Sequence, residues 1–262
     1  MIGDHKQLPA VVQQRTRDSK VREPLLIAIG LEDCRNSLFE RLLSRYRNNP
    51  AVCYMLTRQG RMHRDIAHFP NIAFYGGMLH EVPLDHQISS SPTSRIRFVD
   101  VVPYPDSLSD KVNLAEAQVI ASELIRIWSE SKNAFKPMET VGVIVPYRNQ
   151  ISAIRSVLAE MLGAPEHPLL QISIDTVERY QGSQRKYIIF GFTVQKHYQL
   201  RFLTETTFEE DGQVIDRKLN VAMTRAQEYL ILVGNSALLS NVHLYSRLLR
   251  YIDSESKTEY LI

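Results

Sequence analysis

Cysteine is nearly absent from these 262 residues: Cys34 and Cys53 are the only two. Two cysteines make no disulfide framework, and neither stands at a metal-ligand spacing. This argues against a small cross-linked secreted scaffold and suits a reducing compartment, the cytoplasm or, in a eukaryote, the nucleus. No run of about 18 apolar residues is present and no signal peptide is recognisable, so neither a membrane nor export is expected. A large excess of one charge is also missing. Lys and Arg number 31 against 29 Asp and Glu, a formal net charge of +2. Any polyanion must therefore be bound by local clusters rather than bulk charge. Finally, no Gly is followed by Lys. The phosphate-cradling pattern G-x-x-x-x-G-K-[ST] is thus missing, together with its ring of backbone N–H groups and its lysine.

What is present is an ordinary globular composition, 44% apolar, enough to bury a real core in one large domain. Residues 1–10 read as a strand end and loop. Residues 11–33 are charged and carry breakers, a connector. Leu38, Leu42 and Leu43 fall at helical spacing within residues 34–47. The apolar run at 51–56 reads as a buried strand that includes Cys53 as a small core residue. A helix follows over 62–75, broken at Pro70. Residues 83–95, rich in Ser, Pro and Thr, read as an exposed loop. Strands are predicted at 96–102, 141–147, 172–177, 187–194 and 229–234. Helices are predicted at 113–130, 148–162, 214–226 and over most of 236–252. The first of these carries a stripe of Leu114, Ala117, Ala121, Leu124 and Trp128. Continuous apolar runs alternating with amphipathic helices predict an α/β fold with a mostly parallel sheet. Ligands of such sheets bind beyond the carboxyl ends of the strands. His63 and His68, five apart, lie on different faces of a helix and make no metal pair.

Several strings carry chemistry. In IGDHKQLP at 2–9, Gln7 follows Gly3-Asp4. In TRQGRMHRDIAHFPNIAFYGGML at 57–79, Arg61 is the long cation. VGVIVPYRNQ at 141–150 ends a strand at Pro146 and places Tyr147 and Gln150 at a helix start. SIDTVERYQGSQRK at 173–186 offers Asp175, Thr176, Gln181 and Gly182, the last permitting a close approach or a positive φ. In LNVAMTRAQEYLILVGN at 219–235, Arg225 reads as helical, with small neighbours Ala222 and Ala226 that leave its guanidinium projecting. On its own, Arg225 reads better as a surface group paired with Glu228 one turn away.

Taken together and in this order, the strings resemble motifs III, IV, V and VI of superfamily 1 helicases, along with the segment written Q-Y-R-M-H-P-x-I. The likeness covers nearly the whole chain. It is greatest to the group that holds the nonsense-mediated-decay helicase and the replication nuclease-helicase. It implies a RecA-like, P-loop NTPase-type three-layer fold, with residues 34–262 as the second motor domain. Residues 1–33 are then a remnant of the first domain and a connector, with Met1 as a boundary inside a longer protein and residues 1–10 mobile or docked in a non-native way. The resemblance also implies ATP with magnesium held between two domains, the magnesium ligands lying outside this chain. Gln7, Arg61, Gln184 and Arg225 would meet the nucleotide, with Gln7, Arg61 and Arg225 serving catalysis. Tyr147, Gln150, Asp175, Thr176, Gln181 and Gly182 would meet single-stranded DNA or RNA. The partner would be an upstream RecA-like domain that carries the phosphate loop, so this chain alone is expected to be inactive. Four positions depart from the pattern. Gly60 stands where the family has Tyr, Arg64 where it has Pro, Gln184 where it has Glu, and Lys186 where it has Asp. Gly60 and Gln184 motivate an alternative, a degenerate helicase half that binds nucleic acid or docks proteins without catalysis.

Overall fold

A computed structural model describes residues 1–9, 15, 17–104 and 109–258, the last three through their backbone only. Part of the expected connector, residues 11–14 and 16, lies outside the described residues, as does Ala10. The chain divides into two compact units, Met1–Thr57 and Arg58–Ile262.

The first unit holds two helices, α1 (Pro24–Ala28) and α2 (Leu38–Tyr46). Ser37 starts α2 with a reciprocal capping box, its side chain accepting from the Glu40 N–H while Glu40 accepts from the Ser37 N–H. Residues 1–9 form no strand. Asp4 instead closes a turn, accepting from the Lys6 N–H at 3.0 Å and from Gln7 Nε2 at 2.9 Å. The run at 51–56 is not a buried strand either. Val52 and Cys53 both donate to the Asn49 carbonyl, so a turn at Asn49-Pro50 consumes the groups a strand would pair. Tyr54 is 80% exposed and Cys53 is only half-buried.

The second unit begins with β1 (Arg58–Gln59), α3 (Arg64–Phe74), β2 (His80–Glu81) and α4 (Asp85–Ile88). Helix α3 runs unbroken through Pro70, contrary to the expected break. The proline removes one N–H, but Ile66, Ala67, Phe69, Pro70, Ala73 and Phe74 are all buried along this helix. Tertiary packing outweighs the local cost of a few kcal/mol. The segment 83–95 is not wholly an exposed loop, because it contains α4 and the buried Gln87 and Arg95.

The main sheet is then built from β3 (Ile96–Asp100), β4 (Val141–Val145), β5 (Ser173–Thr176), β6 (Arg185–Gly191) and β9 (Ala226–Gly234). Its order is β3-β9-β6-β4-β5 and every pairing is parallel. The helices between are α5 (Leu114–Ser131), α6 (Arg148–Leu162), α7 (Val177–Tyr180), α8 (Leu200–Thr204) and α9 (Arg217–Met223), followed by α10 (Ser236–Leu239) and α11 (His243–Thr258). A small antiparallel hairpin, β7 (Thr207–Glu210) and β8 (Gln213–Asp216), precedes α9.

Both sheet faces are covered. Val141, Val143, Val145, Ile189, Ile231 and Val233 join one core cluster with Ala117, Ile120, Ala121, Leu124 and Ile127 of α5 and with Ile154 and Leu158 of α6. The alternate positions Ile144, Ile188, Phe190, Leu230 and Leu232 are buried as well, and α3, α9 and α11 pack on strands of this sheet. This is the three-layer α/β arrangement, a parallel sheet flanked by helices, expected from the sequence. Its strands read as continuous apolar runs because neither face meets water. The α5 stripe is turned slightly from the predicted one: Leu114 is 51% exposed while Ile120 and Ile127 are fully buried.

Candidate nucleotide and nucleic-acid site

The chemistry-bearing side chains divide between the two ends of the main sheet. At the amino ends of β6 and β9, three sequence-predicted residues come together. Arg61 Nε donates to Gln184 Oε1 at 2.9 Å, and its Nη1 donates to the Thr224 carbonyl at 3.0 Å. Arg225 follows directly. Helix α9 ends at Met223, so Arg225 is not helical as expected. It occupies the turn between α9 and β9. It is also not a surface group. The side chain is 2% exposed, donating to the Val221 carbonyl at 3.2 Å and the Ser183 carbonyl at 3.5 Å. The expected partner Glu228 faces Arg95 and Lys186 instead.

The reason for this convergence is local. Strand β9 starts at Ala226, ahead of its first pairing with β3 at Leu230. The exposed edge lets the Gln227 carbonyl accept from the His63 N–H at 2.7 Å. That bond fixes the loop before α3, and Gln59 shapes the same loop by accepting from the N–H groups of Arg61 and Met62 at 3.0 and 2.8 Å. His86 and Gln87 of α4 close it from outside, bonding to the carbonyls of Arg61 and of Gln59 and Met62. Burial pushes the Arg61 pKa down from its ordinary value, although a guanidinium stays charged at neutral pH. Among the described residues Arg61 forms no ion pair, and its bonded acceptors are neutral oxygens. An anion reaching this end of the sheet would meet a positive charge that no carboxylate has cancelled.

Thr224, Ser183, Gln59, His86 and Gln87 escaped sequence reasoning. No periodicity or spacing marks them, since each acts through a backbone group or a turn that exists only in the fold. Arg61, Gln184 and Arg225 gather where strands begin, not at the carboxyl ends beyond which ligands of such sheets bind.

At the carboxyl ends of β4 and β5 stand Tyr147 and Thr176. Tyr147 stacks on Phe202 with ring centroids 4.6 Å apart, and burial raises its pKa. Thr176 is 8% exposed, and its N–H donates to Asp175 Oδ1 at 3.0 Å. Gln181 is exposed, and Gly182 has φ +88° in the turn that brings the chain back to β6. Gln150 is fully buried. Its Oε1 accepts from the Asn113 N–H at 2.8 Å and its Nε2 donates to the Asn113 carbonyl at 3.0 Å. Gln150 thus clasps the start of α5 to α6. Gln7 lies in the first unit. Among the described residues no group of three or more His, Cys, Asp or Glu is arranged to hold a metal ion.

The model of the AAA domain family matches residues 34–237. The chain belongs to that family, which is of superfamily 1 helicase type. Its relatives carry helicase names. A probable helicase of Dictyostelium discoideum is 30% identical over 250 residues, 92% of this chain and 22% of that protein. An uncharacterised ATP-dependent helicase of Methanocaldococcus jannaschii is 29% identical, over 97% of this chain and 34% of that one. The DNA replication ATP-dependent helicase/nuclease of Gallus gallus is 27% identical, over 98% and 22% respectively. This helicase-family domain spans a fifth to a third of the length of these relatives. Among its described residues no helix is long and apolar enough to cross a membrane.

Proposed function

We propose that this domain is the C-terminal motor domain of an ATP-dependent DNA or RNA helicase, completing an ATP site whose phosphate loop belongs to another part of the protein. The meeting of Arg61 and Arg225 across Thr224 carries this reading. A guanidinium bonded to neutral oxygens, beside a second guanidinium, suits a triphosphate. Its charge grows on the transferring phosphoryl group, and cations placed there in a dry site stabilise the transition state. Gln184, bonded to Arg61, holds that guanidinium and lies beside the nucleotide. Gln7 senses the γ-phosphate from the first motor domain. Thr176, Asp175 and Tyr147 at the carboxyl ends of β4 and β5, with Gln181 and Gly182 in the turn that returns to β6, meet the nucleic acid. There, phosphate contacts bind strands irrespective of sequence and in a salt-sensitive way. Gln150 supports this contact by fixing the α6 start that follows Tyr147. Magnesium enters this reading with the nucleotide, its protein ligands lying on the first motor domain. The protein then works on single strands in the cytoplasm or nucleus.

The test is ATP turnover by the longer protein bearing the phosphate loop, with and without Arg225→Ala. Loss of roughly 10³ in rate with retained nucleotide binding is expected. An unchanged rate removes Arg225 from catalysis and favours the non-catalytic docking reading. The isolated 262-residue chain is expected to show no magnesium-dependent hydrolysis.

A further inference from the structure

Helix α11 meets helix α3 through Tyr251. Tyr251 Oη donates to the Asp65 carbonyl at 2.7 Å. The Tyr251 ring stacks on His68 with centroids 5.4 Å apart and leans on Phe69 at 5.9 Å. This aromatic ridge has a depression on either side, and His68 and Tyr251 line both.

The larger depression, about 490 Å³, is floored by Phe69 and Ile72 and rimmed by His243, Arg247 and Arg250. Ile72 is 45% exposed, an apolar side chain open to solvent. Arg247 and Arg250 are one turn apart on the outer face of α11 and exposed. Among the described residues neither makes an ion pair, and the one bond between them is Arg250 Nε to the Ser246 carbonyl. Two free forks at this spacing suit carboxylates. The smaller depression, about 280 Å³, carries Glu81 and Glu255 on its wall beside Asp65 and Arg64, which pair with each other at 3.6 Å. Burial and the nearby Asp65 charge raise the Glu255 pKa, so a cation placed there would relieve repulsion.

We infer that the α3–α11 groove is a docking site for a peptide segment of another protein, with acidic residues at one end, an apolar side chain in the middle and a basic residue at the other end. The acidic end lies against Arg247 and Arg250, the apolar side chain covers Ile72 and Phe69, and the basic end crosses the ridge to Glu255 and Glu81. Single-stranded nucleic acid fits less well. The ridge rings pack on one another rather than offering a bare face for a base, and the carboxylates beyond the ridge repel phosphates.

The probe is a fluorescein-labelled peptide reading Gly-Ser-Glu-Glu-Leu-Lys-Lys-Gly, titrated into the whole chain at low salt and followed by fluorescence anisotropy. Binding is expected, to weaken as salt rises and to fall by about tenfold or more in the double variant Arg247→Glu, Arg250→Glu. Glu255→Gln is expected to weaken the same peptide while leaving unchanged the affinity of a version with its lysines replaced by serine. Arg247 and Arg250 are exposed and Glu255 is half-buried, and an unchanged melting curve verifies folding. Absence of peptide binding, or equal affinity in the charge-reversed variant, overturns the inference. Two other outcomes also overturn it. One is an oligothymidylate taking the groove in place of the peptide, with its affinity lost on charge reversal. The other is concentration-dependent self-association that the same variant abolishes. None of these outcomes bears on the ATP site, so the motor reading stands or falls separately.

Discussion

Glu116 has been taken fully out of water by the fold. Its carboxyl accepts from the Thr193 N–H at 2.8 and 3.0 Å through its two oxygens, and it holds Thr193 in the left-handed region at φ 57°. Gly191 makes room for it, because a Cβ there would lie 2.6 Å from Glu116 Oε1. Burial pushes the Glu116 pKa up to about 8, against the hydrogen bonds from Thr193 that lower it. The folded chain therefore keeps this group protonated at pH 7, whereas the unfolded chain ionises it near its ordinary value. Its contribution is fully present below the unfolded pKa and is lost as pH rises toward about 8, at up to about 1.4 kcal/mol per pH unit. Glu116→Gln is expected to flatten this slope. Denaturant unfolding from pH 5 to pH 9 checks it, and parallel pH profiles for the two proteins would refute it. At this scale sequence and structure divide the credit. Arg61 and Arg225 were legible as cations in recognisable strings. The burial of Arg225 and the acceptor role of Thr224 were not, because both depend on where β9 begins.

Elements meet under similar constraints. Short helix α7 folds back over β4, and Gly142 leaves the room that this needs. A Cβ at that position would lie 1.6 Å from the Tyr180 hydroxyl and 3.1 Å from Arg185 Cγ. Tyr180 is 2% exposed and its hydroxyl reaches Ser173 Oγ at 3.4 Å, while Arg185 Nη2 donates to the same oxygen at 2.8 Å. Gly142→Ala is expected to destabilise by about 1–3 kcal/mol through overpacking. Tyr180→Ala leaves a cavity on its own, yet should remove most of the added cost of Gly142→Ala. A double-mutant cycle on unfolding free energy measures the coupling, and strict additivity would show that the two residues do not compete for space. The helix α6 range, Arg148–Leu162, was read correctly from periodicity, whereas α3 was expected to break at Pro70. Local propensity set that expectation, and burial of one whole helix face overrode it.

On the scale of the whole molecule, the described chain comprises two compact units, and the five-stranded sheet belongs wholly to the second. Strands β4, β6 and β9 are covered on both faces by residues of that unit. The fragment 58–262 is therefore expected to fold alone, with a cooperative melting transition within a few degrees of the full chain. Calorimetry of the fragment decides this, and a broad transition or loss of structure would show that its core needs residues 1–57.

The sequence by itself determined the parallel α/β architecture, since continuous apolar strands between amphipathic helices have few other ways to bury both faces. It also determined family membership, since several motif strings stand in one order. Only the tertiary structure decided which of those residues share a site. Arg61 and Gln184 are far apart in the chain yet 2.9 Å apart in space. Gln150, equally prominent in sequence, is spent on holding Asn113. Periodicity reports which side of an element is buried. Whether a polar side chain faces a ligand or a neighbouring backbone depends on strand order and on where each strand starts, and those arise only when the sheet assembles.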